Sequence, residues 1–146
     1  MAITREDFPL PDVADAGVAP YFAAAARHEL SVPRCAGCGR HVWFPAPACP
    51  GCGGSEMPWT PVSGRGTLFS WAVVRRAFLP AFADKVPFVA ALVALEEDPA
   101  VRIVANVVDA EPDALAADQE LVVDFRPLEF TTVPGRSVVV PVFRPA

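Results

Sequence analysis

Apolar residues in the second half of the chain come in five short bursts separated by proline, glycine and charge. Thr67 to Phe78 reads TLFSWAVVRRAF, Phe88 to Glu96 FVAALVALE, Val101 to Val108 VRIVANVV, Leu121 to Phe130 LVVDFRPLEF, and Ser137 to Phe143 SVVVPVF. Each is rich in β-branched or aromatic residues and is bounded by loop-like sequence, the pattern of β-strands. The separators are Leu79 to Pro87, Glu97 to Ala100, Asp109 to Glu120 and Thr131 to Arg136, and EPDALAAD within the third suits a single helical turn. Five antiparallel strands with a helical turn between the third and fourth predict a small Greek-key barrel of the oligonucleotide/oligosaccharide-binding (OB) type. A five-stranded sheet of another topology is the alternative. Several strands are apolar on both faces, so one face fills a barrel and the other is free to meet a partner.

The first half reads differently. Residues 1 to 18 contain Pro9, Pro11 and Gly17 without periodicity and suggest an extended, loosely held arm. Pro20 stands where a first helical turn would begin, and the alanine-rich YFAAAARHEL that follows predicts a helix over Pro20 to Leu30, with Tyr21, Phe22, Ala25 and Leu30 as its apolar side. So short a helix must dock, either on its own domain or on another chain. Ser31 to Arg34 and His41 to Phe44 read as short strands flanking a turn. Pro61 to Gly66, PVSGRG, is the joint, with Gly64-Arg65-Gly66 opening the first barrel strand as a bulge or turn. The expected organisation is an N-terminal arm and helix over 1–30, a small metal-binding unit over 31–60, and a barrel over 61–146.

All four cysteines fall within CAGCGRHVWFPAPACPGC, as two Cys-x-x-Cys pairs ten residues apart. Two residues between cysteines let both sulfurs face one point. Two such turns supply four thiolates, the tetrahedral set that Zn²⁺ prefers. Gly39 and Gly53 follow the two pairs and permit the left-handed backbone such a turn needs. A disulfide framework and a dithiol redox site are the competing readings. The chain opens MAITREDFPLPD, without a basic, apolar, cleavable leader, which does not indicate an oxidising compartment. A redox site needs only one Cys-x-x-Cys. Cys35, Cys38, Cys49 and Cys52 are therefore the expected metal ligands, with zinc favoured over iron. Four thiolates close the site without His41, leave no open position for water or substrate, and make it structural. Trp43 and Phe44 are expected to cover the unit and Trp59 to pack at its junction with the barrel.

The composition narrows the function. Of 146 residues 53% are hydrophobic and 20% charged, enough for a filled core with apolar surface to spare. A net charge of −5 argues against a phosphate-backbone binder, although ribbons and OB barrels both include nucleic-acid modules. The longest uncharged apolar run, Val86 to Leu95, is too short to span a bilayer, and the expectation is a soluble cytoplasmic protein. The 17 prolines disfavour long helices. The common nucleophile and metalloprotease motifs are missing, the two histidines are isolated, and Glu96-Glu97-Asp98 reads as a solvated turn. This argues against an enzyme acting alone. One loop combines cations with aromatics: Arg75, Arg76, Phe78, Phe82 and Lys85, between the first two barrel strands. That mixture suits a ligand with an anionic end and an apolar or purine part, such as an acyl-coenzyme A, or else a subunit interface.

The order YFAAAARHEL, RCAGCGRHVWFPAPACPGCGG, a tryptophan, PVSGRGTLFSWAVV and a barrel ending PVFRPA resembles the acyl-CoA-associated zinc-ribbon plus OB-fold proteins, long described as a domain of unknown function. The resemblance runs from about Pro20 to Ala146. It implies a mainly β chain with an N-terminal helix, a rubredoxin-like zinc ribbon and a five-stranded barrel. It implies Cys35, Cys38, Cys49 and Cys52 as ligands of a structural zinc. It further implies a non-catalytic subunit of a hetero-oligomer, working with a thiolase-fold enzyme or a MaoC-type enoyl-CoA hydratase and helping to hold an acyl-CoA at the shared interface.

Overall fold

The computed structural model describes residues 5–146. In chain order it contains α1 (Ala19–Ala26), β1 (Ser31–Pro33), β2 (Trp59–Pro61), β3 (Arg65–Val74), β4 (Phe88–Leu95), β5 (Arg102–Val107), β6 (Glu120–Leu128) and β7 (Val138–Pro145). Strands β3 to β7 close into a barrel in the order β3-β4-β5-β7-β6, and β1 pairs with β2 as a separate two-stranded ladder. The five strand candidates are all present. A single 3₁₀ turn at Pro112–Ala114 fills the expected place between β5 and β6.

Barrel closure departs from the expectation of five antiparallel strands in one respect. β7 returns beside β5 in the parallel sense, through the single register pair Val107↔Phe143, with the Val108 N–H donating to the Phe143 carbonyl at 2.8 Å. The remaining pairs are antiparallel. The barrel interior follows from strand alternation: Val89, Ala91 and Val93 of β4 and Ile103, Ala105 and Val107 of β5 point inward, with Leu68, Leu121 and Phe143. Phe69 faces outward at a register shift between Leu68 and Ser70, where the β-bulge lies; of the Gly64-Arg65-Gly66 stretch, Gly64 is a bend at φ +82° and Arg65 and Gly66 already belong to β3. The Phe69 ring is covered by the Arg102 guanidinium, 3.7 Å from its centroid.

The helix is shorter than its alanine content suggests. It ends at Ala26 because His28 takes φ +59°. The His28 N–H then donates to the Ala25 carbonyl and the Glu29 N–H to the Ala24 carbonyl, both at 2.9 Å, the paired bonds of a Schellman stop. Tyr21, Ala24 and Ala25 are buried, and α1 packs against β7. The helix therefore docks on its own barrel. His28 stacks on Phe125 of β6, with centroids 5.4 Å apart.

Tyr21, Leu30 and Val32 share one core with the barrel residues, so the N-terminal segment and the barrel pack as one body. Of the two short strands expected around the first knuckle, Ser31–Pro33 forms and pairs with Trp59–Pro61. His41 to Phe44 contributes only one bridge, Arg34↔His41. The N-terminal arm is not loosely held over its described part. Leu10 is 1% exposed and packs with Ala81, Phe130 and Val133 in a satellite core. Residues 1–4 of that arm lie outside the described residues.

Candidate metal centre and ligand loop

The two Cys-x-x-Cys turns are near copies of each other. In each, the amide of the residue after the second cysteine reaches back to the carbonyl of the first: Gly39 to Cys35 and Gly53 to Cys49, both at 2.8 Å. Both glycines sit at φ +76°, a conformation any Cβ would strain. The first cysteine of each pair is buried and the second exposed. The turns face each other so that the four Sγ atoms lie within 4.8 Å of one another. Cys35 and Cys52 are 3.5 Å apart and Cys38 and Cys49 3.7 Å. A tetrahedron of ~2.3 Å metal–sulfur bonds has an edge of about 3.8 Å, so the cage has the size of a four-thiolate metal site rather than of two disulfides.

The electrostatics favour the same occupant. The Cys38 N–H holds the Cys35 thiol below its ordinary value. The N–H groups of Cys52 and Gly51 draw Cys49 down to about 7. Cys52 goes the other way. The Gly54 N–H favours its thiolate, but Cys35, Cys38 and Cys49 crowd it and push it up to about 11. Four thiols this close cannot all ionise without a cation among them, and a divalent metal removes that conflict. The cysteines are positioned to bind a metal, and all four ligand positions would be sulfur. His41 does not belong to the ligand cluster. Trp43 lies 4.9 Å from Tyr21 and 6.4 Å from Trp59, ring centre to ring centre, and so joins the ribbon to the helix and the barrel entrance. Phe44 is 63% exposed rather than covering the unit.

The residues of the β3–β4 loop do not converge on one pocket. Arg75 reaches Asp113 at 3.3 Å, both side chains exposed. Arg76 and Phe78 border an apolar hollow of about 200 Å³ that includes Val74, Leu79, Phe82 and Phe88. Phe82 is half-buried, its ring 5.9 Å from Phe88 and 5.2 Å from Phe130. Lys85 faces the other side, with Nζ 4.8 Å over the Phe130 ring, at the edge of a hollow of about 490 Å³ bordered by Asp84, Glu129 and Arg136. Cations and aromatics thus flank a pinned aromatic stack on two sides.

Two polar clusters join residues from distant parts of the chain. Arg126 on β6 donates to Asp109 through both terminal guanidinium nitrogens and to Asp124 through Nε at 3.1 Å. It lowers both carboxyls: at Asp109 the Arg126 bond is the main cause, and at Asp124 the Phe125 N–H comes first and Arg126 second. The Glu96–Glu97 pair is more than a solvated turn. The Ser63 hydroxyl lies 3.0 Å from Glu96 and 3.2 Å from Glu97, and the Ser63 N–H donates to Glu97, tying the joint to the β4–β5 turn.

Known proteins share this arrangement. The family model for the ChsH2 rubredoxin-like zinc ribbon domain matches residues 22–58, and that for the ChsH2 C-terminal OB-fold domain matches residues 59–126. The chain is 33% identical over 126 residues to the probable enoyl-CoA hydratase alpha subunit of Thermomonospora curvata, covering 86% of this chain but only 36% of that relative. It is 32% identical over 102 residues to a DUF35 domain-containing scaffold protein of Methanothermobacter thermautotrophicus, covering 68% of this chain and 74% of the relative. Among solved structures it superimposes on a chain of the Ltp2–ChsH2(DUF35) aldolase with a TM-score of 0.76 and 33% identity, over 92% of this chain and 98% of that one. A DUF35-family protein of unknown function from Sulfolobus solfataricus shares the fold at a TM-score of 0.56 and 9% identity, over 90% and 87% of the two chains. A four-thiolate ribbon entered from a docked helix and followed by a closed five-stranded barrel, with the two family models matching residues 22–126 and the Methanothermobacter relative covered over 74% of its length, places the chain in the ChsH2/DUF35 family of zinc-ribbon plus OB-fold proteins.

Proposed function

We propose that this chain is a non-catalytic accessory subunit that binds a thiolase-fold condensing, thiolytic or aldolase enzyme and helps form its acyl-CoA site. The observation that carries the reading is the match of this chain, which carries both ChsH2 domains, to 98% of one chain of an aldolase named for two components, Ltp2 and ChsH2. The chain's own chemistry supports it. Cys35, Cys38, Cys49 and Cys52 are committed to a closed cage, whose resident metal we take to be zinc in a structural role. Cysteines serving as metal ligands suit a reducing cytoplasm, where we place the chain. The loop carrying Arg75, Arg76, Phe78, Phe82 and Lys85 is our candidate for the shared interface, and Lys85, at the rim of the hollow beside Phe130, is the cation it offers to the phosphates of an acyl-CoA. A MaoC-like hydratase partner is the second reading, favoured by the Thermomonospora curvata relative, of which this chain spans about a third. A chain of net charge −5 whose exposed arginines are scattered from Arg5 to Arg144 is a poor single-strand binder, and we do not take nucleic acid to be the partner.

Co-expression with thiolase-fold and hydratase-fold subunits from the same genome tests the proposal. The expected result is a stable hetero-oligomer with one thiolase-fold subunit, acyl-CoA turnover by the complex, and none by this chain alone. Turnover by the isolated chain, or a chain that leaves every such subunit unbound and unaffected, would overturn it.

A further inference from the structure

The β3–β4 loop is built like a rigid knob. From Leu79 to Lys85 it is knit by backbone bonds, Phe82 N–H to the Leu79 carbonyl, Ala83 to Pro80 and Lys85 to Phe82, at 3.0 to 3.1 Å. Its underside is fixed by buried Ala81, which packs with Leu10 from the arm and with Phe130 and Val133 from the β6–β7 segment. Phe82 wedges between Phe88 and Phe130. On this pinned base Phe78 stands 85% exposed, the most exposed of the large hydrophobic side chains among the described residues, with Leu79 at 44% beside it. Holding a phenyl ring in water on a preordered support is unfavourable for an isolated chain. It is efficient for a binding anchor, because little conformational freedom remains to be lost on docking. The apolar hollow behind the ring, lined by Val74, Phe82 and Phe88, extends the same surface.

Charge indicates what covers it. The loop from Arg75 to Lys85 holds three cations and one carboxylate, in a chain whose net charge is −5. Arg75 and Arg76 immediately precede the knob and are exposed. A second copy docking loop to loop about a two-fold axis would set these arginines against one another. A partner with an apolar socket rimmed by carboxylates matches both features.

Building on the accessory-subunit reading, we propose that Phe78 and Leu79 insert into an apolar socket of the thiolase-fold partner, with Arg75 and Arg76 meeting carboxylates at its rim. The loop then divides its work: Phe78 and Leu79 hold the partner, while Lys85, on the other side of the Phe82–Phe130 stack, is left to face ligand.

The test uses the thiolase-fold subunit that co-purifies with the wild-type chain. Phe78→Ser should leave the melting temperature unchanged, since the ring touches solvent, and weaken the complex by about 30-fold or more, as loss of a central aromatic anchor does. Val104→Ser, at another exposed apolar residue on the outer face of β5, should change affinity by no more than about threefold. Equal capture by wild type and Phe78→Ser would overturn the docking assignment and leave the accessory role standing. A wild-type chain that captures no thiolase-fold subunit would remove the accessory role and this inference together. Loss of a self-assembled form in Phe78→Ser, with the hetero-complex intact, would assign the knob to a second copy and overturn the proposal.

Discussion

Arg126 sits between two carboxylates drawn from different parts of the chain, Asp109 at the end of β5 and Asp124 on its own strand. Both carboxyls are held below their ordinary values, so both ionise more readily in the folded chain than in the unfolded one. Their contribution to stability is complete above about pH 4, the ordinary carboxylate range, and is lost as pH falls through the lowered folded values. The groups are largely solvated, so the effect is small. Arg126→Gln should lower the melting temperature at pH 7 by on the order of 2 °C, and the difference should close as the pH drops below about 4. Melting curves from pH 7 to about 3 check this; a gap that widens in acid would contradict it. Asp124 and Arg126 share a strand face two residues apart, but the bridge to Asp109 is not visible in the sequence, because a contact across 17 residues of chain leaves no period to detect. The cysteines are the opposite case. Their spacing is local, each turn is closed by its own backbone bonds, and the residues flanking them carry the geometry.

At the scale of elements, the barrel strands were legible because β-branched and aromatic runs between proline-rich breaks have few other ways to bury themselves. The exceptions have physical reasons. Trp59–Pro61 is three residues long and ends in proline, and it is a strand only because Ser31–Pro33 lies opposite. The helix ends earlier than its alanine run suggests because His28, not a glycine, takes the left-handed position. The parallel closure of β5 on β7 rests on one register pair, which no strand's own pattern encodes. The half-buried seat of Phe82 is not legible in the sequence because its base, Leu10 and Phe130, comes from distant segments. The ribbon itself makes a sharper prediction. Val42, Cys35, Cys49 and Met57 form a small cluster separate from the barrel core. A unit that small depends on its metal for folding, with apparent binding free energies of ~10–16 kcal/mol in comparable peptides. The purified chain should carry about one zinc, and Cys49→Ser should lose it. Chelation should shift Trp43 emission to the red as its packing on Tyr21 and Trp59 loosens. Amide protons of Leu68, Val93 and Ile103, in the barrel core, should stay protected from exchange. Barrel amides that open together with the ribbon would show that the two are one cooperative unit.

For the whole molecule the relevant quantity is how charge and apolar surface are distributed. The barrel has closed on itself, so backbone pairing to an open sheet edge is not the natural mode of association, and side chains on the outer face must carry it. Exposed large apolar residues are few and scattered, at Phe8, Val13, Phe44, Phe69, Phe78, Leu79 and Val104 among the described residues, and only Phe78 and Leu79 adjoin an arginine pair in sequence. Long-range attraction and close packing are therefore assigned to neighbouring but different side chains, and they should separate in kinetics. Rim charges govern encounter and its salt dependence, whereas a desolvated aromatic governs residence time. For the complex with the co-purifying thiolase-fold subunit, Arg75→Gln with Arg76→Gln should slow association and flatten its dependence on salt between about 0.05 and 0.5 M, with dissociation changed by no more than about twofold. Phe78→Ser should instead speed dissociation by about 30-fold and keep the wild-type salt slope. Association and dissociation rates measured on immobilised partner at the two salt concentrations distinguish the cases. If the arginine variant changes dissociation alone, the arginines are buried in the contact rather than at its rim. If neither variant changes either rate, the partner holds another face of the barrel.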